Sequence, residues 1–281
     1  MAHEAFTSSE ASAARDLLIE KALAAGRIAL AHFKAGERTD AHVQIKGGGS
    51  PVTEADFAVD AFLKDALGRA FPEAGWLSEE TEDDPLRLAR AQVLVVDPID
   101  GTRAFIEGDP RWTVSIALVV AGRPVAAVVH APALDETYAA AAQSGATLNR
   151  RAIKVSPRDR LDGARIGGPR GLVQSIGHGA GLSWTIEPKI PSLAYRLALV
   201  ACGALDLAAA SEKSHDWDIA AADLLLAEAG GRLVDAGGRG LIYNREETRR
   251  PALLAAPRLL IGPFVAAVDQ ARASHNLTSG A

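Results

Sequence analysis

The 281-residue sequence contains one cysteine, Cys202. That excludes an intrachain disulfide and the paired-cysteine metal and redox motifs. Cys202 follows the apolar stretch Leu197-Ala198-Leu199-Val200-Ala201, which suits a core thiol better than a nucleophile. Positive charge is also short: 30 Lys and Arg stand against 35 Asp and Glu, a net charge of -5. No global electrostatic footprint favours a nucleic acid polymer or an anionic membrane, although a local basic pocket for a phosphorylated small molecule fits. No apolar run reaches the ~18 residues of a membrane span. The N-terminus is acidic and mixed, with no basic start leading into an apolar core. The expectation is a soluble cytoplasmic protein.

Apolar residues make up 48%, enough for a sizeable core in one large or two modest domains. Residues 9 to 34 carry Leu17, Leu18, Ala22, Leu23 and Ile28 at helical spacing, with Gly36 as a stop. Lys46-Gly47-Gly48-Gly49-Ser50-Pro51 holds the densest run of breakers, either a mobile flap or a plain linker. Thr53 and Asp56 stand three apart, like an N-cap and its capping-box partner. They predict a helix carrying Phe57, Val59, Phe62, Leu63, Ala66 and Leu67 towards a core. A short strand from Gly75 runs into Glu79-Glu80, and Val93 to Val96 reads as a fully buried strand. Strand patterns follow at 113–120, 124–130 and 136–142, with a further hairpin over 145–155. After Ser156 the character changes. Strands are expected near Ile166 and at 205–209, 233–234 and 241–243, and helices over 192–204 and 219–229. Gly167 to Gly181 is a glycine-rich loop or a mobile surface segment. A soft boundary near residue 150 separates helices plus antiparallel sheet (1–150) from an α/β part (151–281).

The chemistry centres on Asp97-Pro98-Ile99-Asp100-Gly101-Thr102, placed where a buried strand gives way to a helix. A buried carboxylate without a partner is costly, so two of them three residues apart call for a cation or a hydrogen-bond network. Asp56, Glu79, Glu80 and Asp218 also sit at element ends. Asp56 and Asp218 have an ordinary alternative as helix caps. Carboxylates and backbone carbonyls without cysteine suit hard divalent cations, Mg2+ above all. Two such ions can hold a phosphate ester, acidify a water and stabilise a leaving alkoxide. The amides of Gly101 and Thr102, at a helix start, would add an anion site, and Gly101 permits close approach. A Thr hydroxyl beside a carboxylate can orient and deprotonate a water. Metal-assisted hydrolysis of a phosphomonoester fits this set.

These motifs, with Trp217-Asp218-Ile219-Ala220-Ala221 and Glu228-Ala229-Gly230-Gly231 downstream, resemble the inositol monophosphatase superfamily. The resemblance covers nearly the whole chain. It implies a layered α-β-α-β-α fold, of mixed α+β and α/β character, and a Mg2+-dependent, lithium-inhibited phosphatase with two to three ions per site. It implies that Glu79, Asp97 and the Ile99 carbonyl bind a first ion, and that Asp97, Asp100 and Asp218 bind a second. Glu79 would help hold a weaker third, with Glu80 behind it. Thr102 and Asp56 would activate water, Gly101 and Thr102 would hold phosphate, and Lys46, Gly47, Gly48 and Gly49 would form the mobile loop. The partner would be a small phosphorylated metabolite, and the protein a monomer or homodimer.

Ser50-Pro51-Val52-Thr53-Glu54-Ala55-Asp56 and Val129-His130-Ala131-Pro132 resemble the 3'(2'),5'-bisphosphate nucleotidase branch. The resemblance implies 3'-phosphoadenosine 5'-phosphate as substrate, with Arg196 meeting its second phosphate. Arg196 also reads as a surface helix arginine. Inositol enzymes commonly place a sugar-contacting Glu where this chain has Ser211, which is therefore the candidate substrate contact there. Phe105 to Trp112 also fits the histidinol-phosphatase branch.

Overall fold

A computed structural model of the protein describes residues 6–278, with side chains to residue 274. Helix α1 (Ser8–Leu30) opens on a capping box between Thr7 and Glu10 and ends six residues before Gly36. Strands β1 (Val43–Ile45) and β2 (Pro51–Thr53) pair antiparallel, so the glycine run is the tip of a hairpin. Helix α2 (Glu54–Ala70) starts at Thr53 with Asp56 at N3, the reciprocal pair that the spacing predicts. Ala55, Val59, Leu63 and Leu67 are buried along it. Phe57 is 43% exposed, against expectation, because it sits two residues off that i, i+4 row.

The larger sheet holds β3 (Gly75–Ser78), β4 (Gln92–Asp100), β5 (Thr113–Val120), β6 (Arg123–Ala131), β7 (Glu136–Ala141), β8 (Ala146–Leu148) and β9 (Arg151–Ile153), in that spatial order. Only β3 and β4 run parallel; the other neighbours are antiparallel. Helix α3 (Thr102–Glu107) follows β4 directly. The smaller sheet holds β10 (Arg165–Gly167), β11 (Thr185–Ile186), β12 (Leu207–Ala210), β13 (Gly231–Asp235) and β14 (Leu253–Pro257). Its spatial order is β11-β10-β12-β14-β13. Among these lie α4 (Arg170–Ala180), α5 (Leu193–Ala201), α6 (Asp216–Glu228) and α7 (Arg258–Thr278).

Strand β4 shows why the layers stack. Its Leu94 and Val96 join one core with Leu18 of α1 and Leu63 of α2. Its Val93 and Val95 face the other way, into a core shared with Ala198 of α5, Leu225 of α6 and Leu233 of the small sheet. A period of two therefore buries the strand on both faces. The small sheet's far face packs Leu207 and Leu254 against Val173 of α4 and Phe264 of α7. The result is the layered α-β-α-β-α architecture, and its middle core draws on residues from both sides of position 150. No helix among the described residues is long and apolar enough to cross a membrane.

Three segments differ from the sequence reading. Most of 167–181 is helix α4, and its glycines serve packing. A Cβ on Gly179 would lie 2.5 Å from the Ala271 Cα of α7, and one on Gly177 would lie 2.9 Å from Trp184. Leu241 to Tyr243 alternates in burial like a strand but joins no sheet; the Tyr243 amide donates to the Gly122 carbonyl at the β5–β6 turn. Helix α6 begins at Asp216, not Ile219, with His215 as N-cap. Strand β14 and helix α7 are additional to the sequence reading, although Leu260, Ile261, Phe264, Ala267, Val268 and Ala271 are spaced and buried as one helix face. Because α4 and α7 touch through Gly179, Gly179→Val should lower unfolding free energy by about 1–3 kcal/mol. Urea denaturation measures this, and an unchanged midpoint contradicts the contact.

Candidate active site

The end of β4 projects Asp97 into the middle of the molecule. The Asp97 Oδ1 accepts from the Ile99 amide at 3.1 Å, which closes a tight turn. Its Oδ2 is buried and has no hydrogen-bond partner. The register with β5 shifts between Asp97 and Asp100, so the strand bulges there and both carboxylates reach the same region. Ligand oxygens of Glu79, Asp97 and Asp218 all lie within 4.8 Å of one another. Burial pushes Asp97 well above the usual carboxylate range, and the charges of Glu79, Asp100 and Asp218 push further. Asp218 is raised likewise, by burial first and then by Asp100.

Helix starts hold the other acids in place. Asp100 Oδ2 accepts from the Ser192 hydroxyl and from the Ala194 amide, both at 2.6 Å. Ser192 is the N-cap of α5, and its Oγ also accepts from the Tyr195 amide. Despite those bonds, burial raises Asp100 to about 6. Asp218 is N3 of α6, and its Oδ2 accepts from the His215 amide at 2.6 Å. Its cap role and its place among the acids therefore coexist. Gly101 takes a left-handed conformation, φ 96°, as the N-cap of α3. A Cβ there would come 3.3 Å from the Ser192 amide nitrogen.

Asp56 is fully buried. Its Oδ2 accepts from the Thr53 amide and hydroxyl at 2.7 and 2.6 Å. Its Oδ1 lies 3.2 Å from the Thr102 hydroxyl, which is also 3.1 Å from the Ile99 carbonyl. One hydroxyl proton is thus shared between two acceptors. Burial raises Asp56 to about 6, opposed by the Thr53 bonds. A carboxylate near neutrality beside a hydroxyl can take a proton relayed through that hydroxyl.

Lys46, on the hairpin tip, places its Nζ 3.0 Å from Glu79 and 2.7 Å from Glu80. Burial works against that ammonium, but the two glutamates outweigh it and raise its pKa. Glu80 has a buried side chain, and burial lifts it to about 7. Gly47 and Gly48 are exposed, and the Gly49 carbonyl accepts from Arg103 of α3 at 3.2 Å. Arg196 is no surface arginine. It is half-buried on α5, its Nη1 donates to the Ala209 carbonyl, and its Nε is buried without an acceptor. Ser211 is exposed on the loop between β12 and α6, and its hydroxyl makes no hydrogen bond to a described residue.

Two supporting residues escaped the sequence reading. Ser192 had a signal, a Ser just before an apolar helix. Asp60 had none. It is buried on α2, accepts from the Ser78 hydroxyl and takes the Thr81 hydroxyl at 2.6 Å. It thereby brackets Glu79 and Glu80 from both sides in sequence.

Acids raised above their unfolded values stabilise the fold in their protonated form. That stabilisation is complete below about pH 4 and is lost as pH rises through about 6 for Asp56 and Asp100 and about 7 for Glu80. Metal-free protein should therefore melt higher at about pH 5 than at about pH 7.5, and Asp97→Asn should raise its melting temperature at the higher pH. Thermal scans in chelator check this. A melting temperature that climbs between those pH values contradicts it.

The model of the "Inositol monophosphatase family" matches residues 12–272. "Inositol monophosphatase 2" of Solanum lycopersicum is 34% identical over 235 residues, covering 79% of this chain and 87% of its own. "3'(2'),5'-bisphosphate nucleotidase CysQ" of Haemophilus influenzae is 31% identical over 229 residues, covering 77% and 84%. The crystal structure of the extragenic suppressor protein suhB from Bartonella henselae superposes with a TM-score of 0.79 at 30% identity, over 91% of this chain and 98% of that one. Similarity of this extent in both sequence and architecture places the chain in the inositol monophosphatase family, and makes it a phosphatase.

Proposed function

We propose that the protein is a Mg2+-dependent phosphomonoesterase acting on a small metabolite with a second anionic group. The first choice is 3'-phosphoadenosine 5'-phosphate, giving AMP and phosphate. The observation that carries the substrate choice is Arg196. Arg196 lines a cavity of about 570 Å3 together with Arg170, Lys189 and Glu187, and it forms no ion pair with a described residue. Asp100 is close enough for its charge to act on Arg196. A cation of this kind beside the acid cluster suits a second phosphate.

The acid cluster fits hard cations. Its donors are all oxygens, the buried Asp97 Oδ2 has no hydrogen-bond partner, and among the described residues only Lys46 forms an ion pair with an acid of the cluster. Glu79, Asp97 and the Ile99 carbonyl would hold one ion, and Asp97, Asp100 and Asp218 another. Bound there, such ions supply Lewis acidity that acidifies water and neutralises charge on the phosphoryl and leaving oxygens. The chain's own part is positional. The Thr102 Oγ accepts a hydrogen bond from the attacking water and passes its proton to Asp56 Oδ1. The amides of Gly101 and Thr102 hold the phosphoryl oxygens. Water oxygen bonds to phosphorus, the ester P–O bond breaks, and the leaving alkoxide takes up a proton.

Inositol 1-phosphate is the second reading, supported by the similarity to a relative named for that substrate class. Histidinol phosphate comes third, on the Phe105 to Trp112 motif. Initial rates on all three with Mg2+, with and without lithium, discriminate among them. The nucleotide should be preferred, and lithium should depress its turnover. Arg196→Ala should raise its KM about tenfold or more, while leaving inositol 1-phosphate little changed. Asp97→Asn should abolish turnover without unfolding the protein. Preference for inositol 1-phosphate, or indifference to Arg196, contradicts the substrate assignment; substantial turnover by Asp97→Asn contradicts the metal assignment.

A further inference from the structure

A second charged region lies beside the loop that joins β13 to β14. One cavity, of about 440 Å3, is lined by Arg239, Arg245, Arg249 and Arg250, with Asp235 and Glu247. A second, of about 220 Å3, is lined by Arg123, Arg232 and Arg258, with Asp223. Gly240 and Leu241 line both, so the two cavities adjoin. Guanidinium groups outnumber carboxylates here in a chain whose net charge is -5.

The carboxylates are already engaged. Asp223 accepts the Tyr243 hydroxyl at 2.9 Å. Asp235 accepts the amides of Gly237 and Arg239 and the Arg239 Nε. Glu247 accepts the Arg249 amide at 2.7 Å. The guanidiniums of Arg232, Arg245 and Arg258 make no hydrogen bond or close ion pair to any described residue, although the charge of Arg232 acts on Asp223 and that of Arg245 on Asp216. Forked donors whose hydrogen bonds are unmade, in small adjoining hollows, fit phosphate oxygens bidentately. The concave shape and small volume suit a compact ligand better than an extended polymer.

We propose that this pair of adjoining cavities binds a small polyanion carrying two phosphate groups, at a site separate from the acid cluster. The larger cavity also reaches the start of α6. Arg250 is buried, with its Nε 2.5 Å from Asp216 and its amide on the Ser214 carbonyl. Thr248 accepts the Asp216 amide on its carbonyl and meets His215 Nδ1 through its hydroxyl at 3.1 Å. Asp216 opens α6, two residues before Asp218. An occupant touching Arg250 therefore bears on the turn that positions Asp218.

The test is calorimetric titration of metal-free full-length protein with inorganic pyrophosphate. Wild type should bind it. Arg232→Gln combined with Arg245→Gln, one change per cavity, should weaken binding at least tenfold while the melting temperature shows the fold intact. Arg196→Ala should bind as wild type does. Absence of binding to wild type, equal affinity in the double variant, or loss of binding in Arg196→Ala overturns the proposal.

Discussion

Asp97 Oδ2 is a buried carboxylate oxygen with no hydrogen bond, set among other acids whose ligand oxygens lie within 4.8 Å. At an effective dielectric constant near 20, two unit charges at that separation repel by about 3 kcal/mol. Several such pairs amount to a large part of a domain's net stability. The isolated chain relieves this by keeping Asp97 and Asp218 protonated far above the usual range and by lending Lys46 to Glu79 and Glu80. Neither device satisfies the bare oxygen. A divalent cation satisfies it and removes the repulsion together.

The scaffold holds this arrangement by aiming helix starts at it. The N-termini of α2, α3, α5 and α6 all meet the acid cluster, through Asp56, through Gly101 and Thr102, through Ser192 and Ala194, and through Asp218. Each start offers unpaired amides and the positive end of a helix dipole. These supply partial positive charge without filling the centre. In the same way one carboxylate oxygen of Asp56, Asp100 and Asp218 is tied to an N-terminal amide, and the second oxygen of Asp56 takes the Thr102 hydroxyl. Helix starts therefore fix an acid of the cluster three times over. The two glutamates depend instead on Asp60, which ties the hydroxyls before and after them.

That economy explains what was legible in the sequence. Thr53 and Asp56 read correctly as a cap because capping is local, and Val93 to Val96 read correctly as a buried strand because burial on both faces erases polar alternation. Asp218 presented a choice between cap and ligand that local spacing had no means to resolve, since it caps α6 and also belongs to the acid cluster. Helix α4 was hidden because Gly177 and Gly179 signal a loop by propensity and serve a close helix contact in three dimensions. Leu241 to Tyr243 alternates because Leu241 and Tyr243 enter the middle core while Ile242 lies over Gly122 of the β5–β6 turn, which burial pattern alone does not distinguish from a strand. The contacts of Asp60 with Ser78 and Thr81, and the burial of Arg196 against the Ala209 carbonyl, depend on residues distant in sequence, so only the fold shows them.

The acid cluster, with Asp97 at its middle, has the donor chemistry of a cation site. The most direct measurement is Mg2+ binding by calorimetry at about pH 6.5, in buffers of different ionisation enthalpy, on wild type and Asp97→Asn. Ions that displace protons from acids with raised pKa values should release them measurably in wild type. The variant should lose both high-affinity binding and most of that proton release. Unchanged Mg2+ affinity and proton release in Asp97→Asn would contradict the account.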